Sequence, residues 1–549
     1  MSRLAIALDL GTSGFRAQAM DLANGVVIST VITNRHPLPG TNVIDHLHFA
    51  LELGVETARD LMLQAINKIL AKSGVSLDDV MRLAVCGNPT QLSLFQGMEI
   101  RDLAFAGSRK LKALGVTMPQ RTAEVRTAGE FPGLTLPDAC DIIIPPAVHD
   151  EVGADALALI IQSGILDCEE PAIAIDYGTN AEMALSYQGR IFTGSAAAGP
   201  ALEGQHISCG TLAMPGAIAD MEAVGPYHRL LVLDGDMLPT AGPLIDLRMA
   251  GEAIESVGSV ARAITGTGVI AALDQALEAG IISLPEIRSA DGALHFGKNI
   301  YLTEADMGEA GKAIGAIRAG YVTLGVEAGI APMDIRTAYL AGASGTYVDA
   351  HKSGRLGLIP PGVEQVKQVG NTSLAMAREL VMTPSRLEAM ADLAERLGHT
   401  HTMFAKSKIF SRLFLLELSR WTEGMPMATY REMLSRFHLP DLPESTPMIV
   451  QAMKRDISDL GRRGLTTLES VGLVVALRPE GCLACMGCME VCPTSALAID
   501  SMSNSTTIYL DHALCNGVAC RRCEPVCEPK VFHLIDFFGA KRAAACEEA

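Results

Sequence analysis

The chain has 549 residues and a mass of 58.0 kDa, too long for one hydrophobic core, so two or three domains are expected. A formal net charge of -18 argues against nucleic acid or an anionic membrane surface as the main partner, because both are bound through clustered Lys and Arg. The opening MSRLAIALDLGTSG turns polar too soon for a signal peptide or a membrane span, so it reads as the buried first strand of a cytoplasmic α/β enzyme.

That first strand runs into a Gly-Thr-Ser-Gly turn and a second strand, AIALDLGTSGFRAQAMD, and a similar phrase returns at residues 172–190 as AIAIDYGTNAEMALSYQGR. Each puts an Asp at a strand end ahead of a tight hairpin: Asp9, Gly11, Thr12 and Ser13 in the first, Asp176, Gly178, Thr179 and Asn180 in the second. Glycine lets backbone approach a phosphate, neighbouring N–H groups point at the anion, and the carboxylate can hold a magnesium ion or a water. One such hairpin is weak evidence; two inside apolar strand pairs suggest a duplicated fold. Glu203, in ALEGQHI, could approach a phosphate, although an exposed loop carboxylate is the expectation. Gly266-Thr267-Gly268 opens an amphipathic stretch and caps a helix. In IRTAYLAGASGTYVDAHKSG an apolar strand meets Gly342, Ala343, Ser344 and Gly345 and then a helix, a turn suited to adenosine or phosphate at a helix N-terminus. The pairs His46/His48 and His399/His401 lack carboxylate or Cys neighbours and are assigned to surface or structure, and IFSRLFLLELSRW, 409–421, to a core helix.

Together these segments resemble the two phosphate motifs and the adenosine motif of the ATPase superfamily that contains actin, Hsp70 and sugar kinases. The resemblance implies a two-domain α/β ATPase fold over 1–425 that binds ATP with Mg2+, with Asp9 and Asp176 as catalytic carboxylates. Prolines at 426, 440, 443 and 447 then suggest a semi-rigid connector over 426–474, with IVQAMKRDISDLGRRG expected to be helical.

Eight of the 13 cysteines fall between Cys482 and Cys527. The first run, Cys482, Cys485, Cys488, Cys492 and Pro493, has the spacing C-x2-C-x2-C-x3-C-P; the second supplies Cys515, Cys520, Cys523 and Cys527. Three close thiolates can wrap one cubane while the fourth ligates the other, which gives two [4Fe-4S] clusters: Cys482, Cys485, Cys488 and Cys527 for one, Cys515, Cys520, Cys523 and Cys492 for the other. Paired structural zinc sites have no use for the third Cys and the Cys-Pro. SALAID and TTIYLD alternate as short strands. The segment 475–540 resembles a small α+β two-cluster ferredoxin-like domain.

An iron-sulfur pair carries single electrons, and an ATPase of this kind changes conformation with its nucleotide. Fused, they imply ATP-driven delivery of an electron to a poor acceptor. The order DLGTSG, AIDYGTNAEMAL, ALEGQHI, TGTGVIAAL, YLAGASGTYVD, VGNTSLAMA and the terminal ferredoxin-like segment resembles the reductive activases of corrinoid proteins across essentially the whole chain. That resemblance implies ATP-dependent reduction of an inactive Co(II) corrinoid to Co(I) on a partner methyltransferase corrinoid protein, fed by a low-potential electron donor. Bacterial relatives carry an N-terminal [2Fe-2S] domain; clusters at the C-terminal end favour the methanogen type that serves methylamine methyltransferases, and leave open which cluster faces cobalt. Two alternatives stand. Activators of radical dehydratases or reductases hold one cluster between two subunits through Cys of the ATPase domain, a pattern that the widely spaced Cys86, Cys140, Cys168 and Cys209 do not match. A sugar-kinase-like phosphotransferase with a ferredoxin tail would need a base and a sugar pocket that no motif supplies.

Overall fold

The computed structural model describes residues 3–539, apart from 41, 106–107, 149–151, 252, 257, 298, 470, 473, 503–504 and 518–519; residue 540, the end of the expected ferredoxin-like segment, lies outside the described residues. The chain divides into two compact units, one from the segments up to Ile144 and after Gly461, the other from Pro145–Leu460.

In the first unit a seven-stranded sheet has the order Leu465–Leu468, Val27–Thr33, Phe15–Asp21, Leu4–Leu10, Val80–Gly87, Asp141–Ile144, Glu124–Thr127. Leu4–Leu10 is buried at every position, as a strand covered on both faces must be, and that is why it reads as an unbroken apolar run. It pairs antiparallel with Phe15–Asp21 through the first hairpin and parallel with Val80–Gly87.

The second unit repeats the scheme. Its six-stranded sheet runs Ile449–Gln451, Gln365–Gly370, Thr337–Ala341, Ala172–Tyr177, Ala181–Tyr187, Arg190–Ala196. Ala172–Tyr177 again pairs antiparallel across its hairpin and parallel with a later strand, Thr337–Ala341. Both sheets therefore hold a three-stranded meander flanked by parallel crossover strands, the duplication that the repeated hairpin phrase suggests. The second unit adds a four-stranded sheet, Pro239–Ile245, Tyr227–Leu233, Ala217–Val224 and Ala263–Ile264.

Two helices anchor that unit's core. Glu304–Ala328 starts in a capping box between Thr303 and Asp306, and Lys408–Glu423 buries Leu413, Leu416, Glu417 and Trp421 on one stripe, as expected of the 409–421 run. They lie close: a Cβ at Gly311 would stand 2.5 Å from Trp421, and one at Gly315 2.6 Å from Glu417. Between them Arg318 Nη1 donates to Glu417 Oε1 at 2.9 Å and Nη2 to Leu356 O at 2.9 Å, while Tyr430 O–H donates to the same carboxylate. Burial alone would push the Arg318 guanidinium down; Glu417 reverses this and holds it above its usual range.

Two expectations are corrected. The stretch from 449 to 464 is not helical: Ile449–Gln451 is an edge strand on Gln365–Lys367, and the chain then turns through Gly461 and Gly464, both at positive φ. Edge pairing satisfies its backbone where no continuous apolar stripe could hold a helix. Nor is 426–474 only a semi-rigid connector. Pro426 caps the helix Met427–Arg436, and the segment gives one strand to each sheet, Ile449–Gln451 and Leu465–Leu468. After it, Val474–Leu477, Ser505–Asp511 and Leu497–Met502 form a three-stranded antiparallel sheet within the first unit, and the SALAID and TTIYLD segments are two of these strands.

Glu417→Leu leaves the buried Arg318 unpaired and is expected to cost roughly 3–5 kcal/mol of unfolding free energy. Adding Arg318→Met should restore most of it. Denaturant melts of the two variants check both parts; equal stability of Glu417→Leu and the parent would show the pair to be dispensable.

Candidate functional site

In the first unit the hairpin is held by a segment from far along the chain. Asp9 and Ser13 are buried, Gly11 sits where a Cβ would meet Gly14 O at 2.8 Å, and Thr12 Oγ1 accepts a bond from Asn88 Nδ2 at 2.9 Å. Asn88 also N-caps the helix Pro89–Gln96 by accepting from Gln91 N. Gln91 carries the network inward: His36 Nε2 meets its Oε1 at 2.9 Å, and its Nε2 meets His46 Nδ1 at 2.8 Å. The two imidazoles stack with centroids 4.0 Å apart. Burial keeps both neutral, pushing His36 down to about 3 and His46 well below its ordinary value. His46 is thus buried inside this hydrogen-bonded network.

In the second unit the strand end Asp176 and the turn at Gly342 meet: Gly342 has φ +77°, and a Cβ there would stand 2.3 Å from Asp176 Oδ1. Only glycine serves at a left-handed position under a carboxylate. Gly342 opens the short helix Gly342–Tyr347, so Ala343, Ser344 and Gly345 form its first turn. Gly178 N bonds Asp176 O at 3.1 Å, closing the hairpin ahead of Thr179 and Asn180. Glu203 is no exposed loop acid; it is half-buried, accepts from Thr179 N at 3.0 Å and from Thr179 Oγ1, and ends the 3-10 turn Pro200–Glu203. The turn approaches the hairpin because Gly199 N donates to Thr179 O at 2.9 Å, a tertiary contact that spacing along the chain does not signal. Asn88 is likewise a residue that sequence reasoning missed; the Asn-Pro cap before an apolar helix is the signal that marks it.

The cysteines fall into two sets. Cys492, Cys515, Cys520 and Cys523 line one cavity with Leu497, Leu510 and Leu534. Ala496 N donates to Cys492 Sγ and Gly517 N to Cys515 Sγ, each at 3.3 Å. Cys488 lies within electrostatic reach of Cys482 and Cys485, and the Gly487 Cβ position is 3.8 Å from Cys485 Sγ and 4.0 Å from Val526 O, the neighbour of Cys527. The chain folds these loops at some conformational cost, with Ala484, Met486 and Arg521 at positive φ. Among the described residues no three His, Cys, Asp or Glu side chains already stand at metal-ligand geometry. Unpaired thiols around one cavity, backbone N–H groups aimed at two of the sulfurs and left-handed loop residues nevertheless fit the thiolate donors and N–H···S bonds that an iron-sulfur cluster takes.

The two sets differ in surroundings. Each set has two buried thiols, Cys488 and Cys527 in one and Cys515 and Cys523 in the other, and the difference lies at Cys485, which is exposed. The second set is also tied to the rest of its unit: Gly40 N donates to Cys515 O at 3.0 Å and Arg521 pairs with Glu52.

Residues 4–167 match the family model described as the RACo middle region, and 170–431 the one described as the C-terminal domain of RACo, the ASKHA domain. A Methanosarcina barkeri protein named Co(II) methylated amine-specific corrinoid protein reductase is 47% identical over 517 residues, which cover 94% of this chain and 95% of that protein. The corrinoid activation enzyme RamQ of Eubacterium limosum is 25% identical over 398 residues, 67% of this chain and 62% of its own. A solved structure titled reductive activator for corrinoid, iron-sulfur protein shares the fold with a TM-score of 0.62 at 24% identity, over 76% of this chain and 66% of that one.

Burial pushes Cys515 and Cys523 up to about 12, partly opposed by backbone N–H groups that favour the thiolate. The thiolate is the nucleophile, so these buried groups react more slowly than an exposed thiol. Limited alkylation of reduced, metal-free protein should therefore label Cys485 first and Cys515 and Cys523 last, as read by peptide mass spectrometry. Uniform labelling of all eight would contradict this ordering.

Proposed function

The chain belongs to the reductive activases of corrinoid proteins, and from that membership we propose that it uses ATP to reduce the Co(II) corrinoid of a methyltransferase partner protein to Co(I). The observation that carries the reading is the 47% identity, over 94% of the chain, to a protein named for reducing Co(II) on a methylated amine-specific corrinoid protein. Two features of this chain's own residues support it. The fold provides two equivalent hairpins, Asp9-to-Ser13 and Asp176-to-Asn180, suited to nucleotide phosphates, and the terminal segment provides two interleaved thiol sets.

In this reading each hairpin offers backbone N–H groups and a threonine hydroxyl to phosphate oxygens, and Asp9 and Asp176 hold Mg2+ or orient the attacking water. Gly342, Ala343, Ser344 and Gly345 bring a helix start beside Asp176 for the nucleoside end. Cys482, Cys485, Cys488 and Cys527 hold one [4Fe-4S] cluster and Cys492, Cys515, Cys520 and Cys523 the other. When bound, such clusters supply one-electron transfer. One electron from an external low-potential donor is balanced by one Co(II) centre becoming Co(I), while water cleaves ATP to ADP and phosphate. The N–H donors to Cys492 and Cys515 and the leucine walls set the polarity around the inner set, a main lever on its potential. No helix among the described residues is long and apolar enough to cross a membrane, in keeping with action in the cytoplasm.

Anaerobically prepared protein should hold about eight irons and eight acid-labile sulfides, and Cys485→Ala or Cys520→Ala should each remove one cluster by electron paramagnetic resonance and iron analysis. Two bound zinc ions and no iron would sink the electron-transfer part. Given a strong one-electron donor, a Co(II) corrinoid protein should lose its Co(II) absorption band only when Mg2+ and ATP are present. Asp9→Asn and Asp176→Asn should retain reducible clusters yet fail at that step, and reduction at the same rate without ATP would refute the coupling.

A further inference from the structure

The 3-10 turn Pro200–Glu203 touches three separate segments of the second unit. Its Glu203 carboxylate accepts from Thr179 N at 3.0 Å and from Thr179 Oγ1. Leu202 O accepts from Ser344 Oγ at 2.7 Å, in the turn beside Asp176. Leu202 also seats the helix Gly266–Glu278: a Cβ on Gly266 would stand 2.0 Å from Leu202 O, so this helix start presses directly on the turn. The second hairpin, the Gly342 turn and the Gly266 helix start are thus joined through two consecutive residues.

The donors that Glu203 takes are those that an Asp-x-Gly-Thr hairpin offers an anion. A carboxylate and a phosphate cannot share them, since both are acceptors there and both carry negative charge. We propose that Glu203 is a positioning residue that stands in for phosphate: nucleotide phosphate displaces its carboxylate from Thr179, and the released turn then shifts Leu202 against Ser344 and Gly266. The proposal rests on the reading that this hairpin binds nucleotide. It gives the binding event a route into the rest of the unit, because the hydrogen bond exchanged at Thr179 belongs to the same turn that holds Ser344. Binding of ligand to a site whose competent form is only partly populated is weakened by that fraction, so the internal carboxylate lowers apparent affinity and its removal raises it.

The test is calorimetric titration of the full-length protein with Mg2+ and a non-hydrolysable ATP analogue. Glu203→Gln and Glu203→Ala should both bind the analogue about tenfold or more tightly than the parent, from loss of a charged competitor for the same donors. A residue that merely braced the hairpin, or one that helped hold the metal, would give the opposite sign, and weaker or unchanged binding in both variants overturns the proposal. Should either variant fold poorly, the parent alone decides: hydrogen exchange over 199–205 should rise on analogue binding, and increased protection there refutes displacement. If the parent does not bind the analogue at all, the nucleotide reading itself falls, and this inference with it; binding without the predicted change removes only the role of Glu203.

Discussion

A strand buried on both faces delivers its end residues into the interior of the sheet edge, where every polar group must find a partner inside the protein. Leu4–Leu10 and Ala172–Tyr177 both end that way, and the hairpins that follow are shaped by how their threonines are satisfied. Thr12 is met by Asn88 and Thr179 by Glu203. In each unit the partner comes from outside the hairpin: a helix cap in the first, a 3-10 turn in the second. Equivalent backbone scaffolds are thus completed by different chemistry, an uncharged amide at one and a carboxylate at the other. The two hairpins are copies in topology and unlike in electrostatics.

The terminal segment faces a different constraint. A thiol buried away from water resists ionisation, and Cys515 and Cys523 are both pushed up to about 12. A cation that binds thiolate reverses that preference and releases the protons, so metal binding there would be coupled to the order of these loops. The walls of the inner set come from Leu497 and Leu510 on the short strands and from Leu534. The outer set has no comparable cover at Cys485. For a single electron about 59 mV corresponds to a tenfold change in equilibrium. A nucleotide-linked free energy of about 1–3 kcal/mol, ordinary for coupled sites, then moves an effective potential by roughly 40–130 mV.

The segment between the fold's two halves of sequence shows how tertiary pairing overrides a local reading. Four prolines between 426 and 447 suggest a connector, and the following stretch up to 464 a helix. Pro426 instead serves as a helix cap, where its fixed φ and missing N–H cost nothing. Ile449–Gln451 gains its backbone partners from Gln365–Lys367, and Leu465–Leu468 from Thr30–Thr33, strands that lie far off in sequence. Edge pairing of this kind leaves no periodic signature in three or four residues.

The sequence by itself determined the strands that enter both hairpins, because a doubly covered strand needs an unbroken apolar run and a tight turn needs glycine. It determined the duplicated fold class, because the same phrase recurs, and it showed two closely spaced runs of cysteine. The core helix at 408–423 was equally legible from its apolar stripe, Leu413, Leu416 and Trp421. Tertiary structure alone decided which distant groups complete the sites. Glu203 is half-buried on Thr179 because Gly199 closes on the hairpin, and Gly342 faces Asp176 because two parallel strands end side by side. Which thiols are shielded was also decided there, by the leucines and the Gly40 contact around Cys515. Local patterns record the backbone a residue needs; burial, and the partner that burial forces on a polar group, depend on chain segments that meet only after folding.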